Sequence, residues 1–231
     1  MSKGVIVFDL DGTLVDTAPD LLDSLNHCLE TVSLPPVQEA QLRRYVGMGA
    51  RVMIERAFQG IGSNIASDEL DRLHETFLEH YTRCMPGRSL PFPGVELAMT
   101  RFAEAGFLLA VCTNKLEGLS RSLLTGLNLA DRFAAICGSD TFAMRKPDPR
   151  HLTETIRMAG GDPDRSVMIG DSRTDIDTAK AAGIPVVAVD FGYTDQHVSV
   201  YEPSGIISHF DELTLESVTQ LIEAVADAPR P

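Results

Sequence analysis

The chain has 231 residues, 44% of them hydrophobic and 23% charged, which suits one large soluble domain or a core with a smaller partner. Its net charge of −13 argues against nucleic acid as a partner, because binding a phosphate backbone needs clustered positive charge. No apolar run approaches the roughly 20 residues of a membrane span, and the short apolar stretch Val5 to Phe8 is no signal peptide, so the expected location is cytoplasmic.

In chain order, Val5–Phe8 reads as a short buried strand. From about Asp16 to Arg88 the pattern is helix after helix. Leu21, Leu22, Leu25, Cys28, Leu29 and Val32 keep one helical stripe, and Leu70, Leu73, Phe77, Tyr81 and Cys84 keep another. Pro35-Pro36 and the glycines at 60 and 62 separate these helices, and Pro91-Phe92-Pro93-Gly94 marks a turn out of the region. Strands follow at Leu108–Cys112, Ala135–Cys137, Val167–Ile169 and Pro185–Val189, with helices at Leu116–Thr125, Pro149–Met158 and Arg173–Ala182 between them. This alternation predicts an α/β fold: a Rossmann-like parallel sheet core, residues 1–15 and 88–231, with an inserted all-helical domain at 16–87. Residues 226–231 read as a loose tail. Cys28, Cys84, Cys112 and Cys137 form no CxxC pair and lie among apolar neighbours, so they read as reduced packing residues. The six histidines show no zinc-binding spacing.

Four segments carry chemistry. Asp9-Leu10-Asp11-Gly12-Thr13-Leu14-Val15 follows the first strand, and two carboxylates there can divide nucleophilic attack from proton handling. A calcium loop fails on Thr13 and Leu14, which stand where an acidic or amide ligand and a glycine are needed. Thr113, after the second core strand, offers a hydroxyl and free amides to a phosphate oxygen. Lys146, on the stiff loop Arg145-Lys146-Pro147-Asp148-Pro149, can neutralise charge on a transferring phosphoryl group. Asp171 and Asp175, across a strand-to-helix turn, suit a magnesium site, or else cap the next helix. Each segment has a bland alternative taken alone. Their common placement at strand ends aims Asp9, Asp11, Thr113, Lys146, Asp171 and Asp175 at one point.

Those four segments, in this order, resemble the haloacid dehalogenase superfamily, and the early helical insertion resembles the cap that some members carry between their first two motifs. Within the superfamily the likeness is to bacterial phosphoglycolate phosphatases, through Val46-Gly47-Met48-Gly49-Ala50, Thr113-Asn114-Lys115 and Gly170-Asp171-Ser172-Arg173-Thr174-Asp175-Ile176. The resemblance implies that Asp9 forms an aspartyl-phosphate and that Asp11 protonates the leaving group, then deprotonates water. It implies Mg2+ held by Asp9, the Asp11 carbonyl, Asp171 and Asp175, and phosphoryl oxygens bound by Thr113, the Asn114 amide and Lys146. A dehalogenase needs no acid at Asp11, and a phosphonatase needs a cap lysine, whereas no lysine occurs between Lys3 and Lys115.

Substrate choice falls to the insertion. Arg43, Arg44, Arg51 and Arg56 face a single acid, Glu55, in the stretch 43–56, a local +3 that would welcome a substrate carboxylate. The turn Gly47–Arg51, with Gly47, Gly49 and Arg51, is the expected specificity element, against the alternative that these arginines line solvated helix faces. The expected partner is a small phosphorylated metabolite, with no nucleic acid and no membrane, acted on by a monomer or homodimer. Competing activities are hydrolysis of another small ester or pyrophosphate and a β-phosphoglucomutase-like phosphate transfer. An inactive module on the same fold would have lost part of the constellation, and all six groups are present.

Overall fold

The computed structural model describes residues 3–43, 45–47, 49–194 and 196–226. Strand β1, Val5–Phe8, is wholly buried, as its unbroken apolar run requires of a central parallel strand. The chain then makes a short strand β2, Val15–Asp16, and helices α1 (Ala18–Thr31), α2 (Glu39–Leu42), α3 (Ala50–Gly60) and α4 (Ser67–Cys84). It returns through β3, Leu90–Pro91, which pairs antiparallel with β2. Beyond lie α5 (Val95–Glu104), β4 (Leu108–Cys112), α6 (Glu117–Gly126), β5 (Ala135–Cys137), α7 (Pro149–Met158), β6 (Val167–Gly170), α8 (Arg173–Ala182), β7 (Val186–Val189), β8 (Gly205–Ile207) and α9 (Leu215–Ala226).

Six strands form one parallel sheet in the order β5-β4-β1-β6-β7-β8. Successive side chains of β1 point to opposite faces. Ile6 and Phe8 join Met99, Phe102, Leu123 and Val218 of α5, α6 and α9. Val5 and Val7 join Leu152, Ile156, Ile176 and Ala179 of α7 and α8 on the other face. The chain leaves β1 toward β4 and β5 on one side and later fills β6, β7 and β8 on the other. The order therefore reverses at the carboxyl end of β1, where sheets of this kind leave a crevice for a ligand. Helices α1 to α4 bury a separate apolar cluster, which includes Leu25, Cys28, Ile54, Leu73, Phe77 and Tyr81.

The expected strands and helices of the sheet are present, with small shifts at their ends. Pro185 lies outside β7 because it has no N–H to give the ladder, although its carbonyl accepts from Met168 N at 2.9 Å. Leu116 caps α6 and does not begin it. Two features of the helical stripes need correction: Val32 lies just past the end of α1, and Cys84, on the last turn of α4, is exposed. The other three cysteines are buried, and all four are free thiols. Strand β8 and helices α5 and α9 went unmarked in the sequence; β8 has only three residues, too few to show a period. Residues 227–231 of the expected tail lie outside the described residues. No helix among the described residues is long and apolar enough to cross a membrane.

Candidate active site

At the end of β1 the Asp9 amide still donates to Ile169 O of β6 (2.9 Å), and the chain then coils tightly on itself. Leu14 N and Val15 N both donate to Leu10 O, at 3.1 and 3.0 Å. Gly12 takes φ +86°, and a Cβ built on it would stand 2.4 Å from Asp171 Oδ2. Only glycine permits both that backbone and that approach. The coil thereby brings Asp9 against residues some 160 positions away.

Asp9, Asp171 and Asp175 are all buried, and one carboxylate oxygen from each lies within 4.8 Å of the others. Lys146 Nζ sits among them, 2.6 Å from Asp175 Oδ1 and 3.0 Å from Asp9 Oδ1. The second contact is not aligned as a hydrogen bond, and Asp9 Oδ1 has no hydrogen-bond partner. Asp171 is held by Thr13 Oγ1 at 3.0 Å and by the Tyr193 amide at 2.6 Å. Asp175 Oδ2 accepts from Ser172 Oγ at 2.7 Å and from the Ser172 amide at 3.1 Å, closing a capping box on α8. The capping reading of Asp175 holds: it caps its helix with one oxygen and meets Lys146 with the other.

Three carboxylates against one ammonium leave the centre electron-rich. Burial pushes the Asp9 carboxyl up to about 6; Asp175 and Asp11 add to the rise and Lys146 opposes it. Asp171 is raised well above the usual carboxylate range by burial, then by the charges of Asp175 and Asp9. Burial disfavours the Lys146 ammonium, but Asp175 and Asp9 outweigh it and hold its pKa above the ordinary lysine value. A set of hard, desolvated oxygens with one of them orphaned fits a divalent cation.

The Asp11 carboxylate is not part of this cluster. It accepts from Thr17 Oγ1 at 2.7 Å, and Lys115 Nζ lies 3.0 and 3.3 Å from its two oxygens. Burial works against the Lys115 ammonium, but Asp11 and Tyr81 more than offset it, and its pKa is raised. Thr113 is buried at the end of β4, its amide bonded to Cys137 O at 3.0 Å. Asn114 Nδ2 donates to Lys146 O at 3.1 Å and so ties the lysine loop to the β4 end.

Two cavities meet at these residues. A 530 Å³ cleft is lined by Asp9, Asn114, Lys146 and Asp171 from the sheet side and by Gly47 and Arg56 from the helical side. A 220 Å³ cavity is lined by Asp9, Asp11, Thr113 and Lys115, with Gly47, Gly49 and Tyr81 opposite. A wider 920 Å³ depression, between α1 and α4 beside His27 and His80, holds none of the motif residues.

Of the specificity candidates, Gly47 and Gly49 face the 220 Å³ cavity, both with positive φ. Arg51 lines neither cavity at the site; it pairs with Asp71 of α4 at 2.5 Å, and its side chain is 44% exposed. Arg43 is engaged by Asp16 (2.8 Å) and Glu39 (2.7 Å). Arg44 and Met48 lie outside the described residues. Sequence reasoning passed over Thr13, Thr17, Lys115 and Tyr193 as site residues. Lys115 carried a usable signal, since it stands two positions after a strand-terminal threonine already assigned to the site.

A family model described as haloacid dehalogenase-like hydrolase matches residues 6–189. A phosphoglycolate phosphatase of Mesorhizobium japonicum is 63% identical over 224 residues, covering 97% of this chain and 99% of its own. One from Agrobacterium fabrum is 48% identical over 222 residues, covering 96% and 95%. Among solved structures, the crystal structure of a predicted phosphoglycolate phosphatase from Haemophilus somnus 129pt superposes with a TM-score of 0.85 at 29% identity, over 92% of this chain and 97% of that one.

Proposed function

Because this chain belongs to the haloacid dehalogenase-like hydrolase family, we propose that it is a phosphatase that hydrolyses 2-phosphoglycolate to glycolate and inorganic phosphate. The observation that carries this reading is the convergence of Asp9, Lys146, Asp171 and Asp175 at the end of β1, beside Asp11. The substrate comes from the relatives, two of which bear that name over nearly their whole length.

In this reading the Asp9 carboxylate attacks phosphorus, and the bond from phosphorus to the glycolate oxygen breaks. Asp11, oriented by Thr17 and Lys115, gives its proton to the leaving alkoxide. The regenerated Asp11 carboxylate then takes a proton from the water that hydrolyses the aspartyl-phosphate, which returns both acids to their starting forms. Thr113, Asn114 and Lys146 bind the phosphoryl oxygens, Lys146 from its buried station beside Asp9. Asp9, Asp171 and Asp175, with the Asp11 carbonyl, would hold Mg2+, which would supply positive charge to screen the repulsion between the Asp9 carboxylate and a phosphate dianion. The helical segment 16–87 acts as a cap over the crevice, with Gly47 and Gly49 facing the substrate. The reading places the enzyme in the cytoplasm, as a monomer or homodimer, on a small dissolved ester.

Phosphate release from 2-phosphoglycolate, pyrophosphate, sugar phosphates and nucleotides, with Mg2+ and with chelator, tests this directly. A kcat/KM for phosphoglycolate at least about tenfold above the others, lost with chelator, is the expected result. Preference for another ester would remove the glycolate assignment and leave the chemistry in place.

A further inference from the structure

In 2-phosphoglycolate a single methylene separates the leaving oxygen from the carboxylate, so covalent geometry keeps the nearer carboxylate oxygen within about 4 Å of it. Asp11, as donor to that leaving oxygen, must stand at hydrogen-bond distance from it. The substrate carboxylate is thus confined to the surroundings of Asp11, which becomes an anion as it gives up its proton, and two anions so close repel unless they share a cation. An ammonium stands there. Lys115 Nζ contacts both Asp11 oxygens, and its side chain is only 6% exposed.

Tyr81 of α4 lines the same 220 Å³ cavity beside Lys115. Its ring centroid is 4.5 Å from Lys115 Nζ, and its buried hydroxyl has no hydrogen-bond partner. A buried donor left unpaired is costly, so its retention beside a cavity points to an acceptor that arrives from outside. Helix α3 also begins at this cavity, at Gly49 and Ala50, with no side-chain cap on its first amides. The cavity is smaller than the roughly 300–1,000 Å³ of pockets for larger ligands, and suits an acid of two or three carbons. Among the described arginines of 43–56, Arg43 and Arg51 line neither cavity at the site, and Arg56 lines the wider cleft.

We propose that this cavity is the subsite for the substrate carboxylate, with the Lys115 ammonium and the Tyr81 hydroxyl as its donors and the first amides of α3 behind them. Lys115 then links two tasks, holding Asp11 toward the leaving oxygen and selecting esters with an anionic group beside that oxygen. The assignment rests on the phosphoglycolate reading above.

The test compares 2-phosphoglycolate with ethyl phosphate, which ends in a methyl group where the former has its carboxylate. The readout is the ratio of their kcat/KM values, because any loss transmitted through Asp11 falls on both esters and cancels. Lys115→Met should lower the ratio by about 30–100-fold and Tyr81→Phe by about tenfold, as the loss of charged and neutral donors predicts, and Lys115→Arg should restore part of it. Tyr81→Phe keeps the ring and its packing, so the comparison survives even if Lys115→Met does not fold. Variants that keep the wild-type ratio, losing activity equally on both esters or not at all, would overturn the subsite and leave the substrate reading intact. A wild-type ratio near one would overturn the substrate reading and the subsite with it.

Discussion

Asp9→Asn should stop turnover and yet, in chelator, make the protein more stable at neutral pH. Asp9 is buried beside two other acids, and its carboxyl titrates near 6 in the fold against 3.8 for an ordinary aspartate. The folded state therefore binds this proton more tightly than the unfolded chain. Stability falls as pH rises from about 4 to about 6, and the whole penalty is present above that window. At about 1.4 kcal/mol per pKa unit, the ionised carboxylate costs the metal-free fold about 3 kcal/mol, trimmed a little because its side chain keeps 12% exposure. Asparagine has the same shape and no charge. For a chain of 231 residues the gain corresponds to a Tm about 5–10 °C higher. Thermal melts of both proteins with EDTA, at about pH 7.5 and about pH 4.5, measure it: groups away from the cluster cancel in the difference, while Asp171 and Lys146, whose titration Asp9 itself shifts, contribute to it. The gap should shrink to about 1 kcal/mol at the lower pH. An Asp9→Asn protein that melts at or below the wild type at pH 7.5, or a gap that ignores pH, would refute the view that this carboxylate is held in the fold against its own desolvation.

Adding Mg2+ at about a hundred times its dissociation constant should stabilise the wild type by about 2.7 kcal/mol, read as a rise in Tm. Asp171→Asn should lose most of that rise while remaining folded, because the amide keeps an acceptor for the Thr13 hydroxyl or the Tyr193 amide; an undiminished rise would remove Asp171 from the cation site. Arg51→Ala should cost under about 1 kcal/mol, since its pair with Asp71 is solvent-exposed, and should leave kcat/KM for phosphoglycolate within about twofold. A larger loss of activity would return the specificity role to Arg51.

How much of this was legible in the sequence depended on how local each feature is. The strand β1 and the carboxylates after it are adjacent in the chain, so their shared position follows from one strand end and one glycine turn. The same holds for Asp171 and Asp175, which are four residues apart and joined by the capping box. The parallel order then assembles these ends without further information, since right-handed crossovers leave each on the same rim. Capping by Asp175 does not use up the carboxylate, because it has two oxygens: one closes the capping box and the other meets Lys146.

The side proposed to receive the leaving group has a different origin. Lys115 follows β4, Asp11 follows β1 and Tyr81 lies on α4, and no periodicity links the three positions. Tyr81 read simply as one residue of an apolar stripe, and most of it is: the ring packs in the helical core near Phe77. Its hydroxyl alone departs from that role, and a single polar atom leaves no trace in a hydrophobic pattern. Arg43 and Arg51 depart from the sequence reading for a related reason. Charge summed along 43–56 is a property of sequence, but the partners Asp16, Glu39 and Asp71 come from β2, α2 and α4, and they neutralise Arg43 and Arg51 before any ligand arrives. What a substrate meets is the charge left unpaired after folding. At this site the cations that remain are the buried lysines, Lys146 between Asp9 and Asp175 and Lys115 on Asp11, with Arg56 at the rim of the wider cleft.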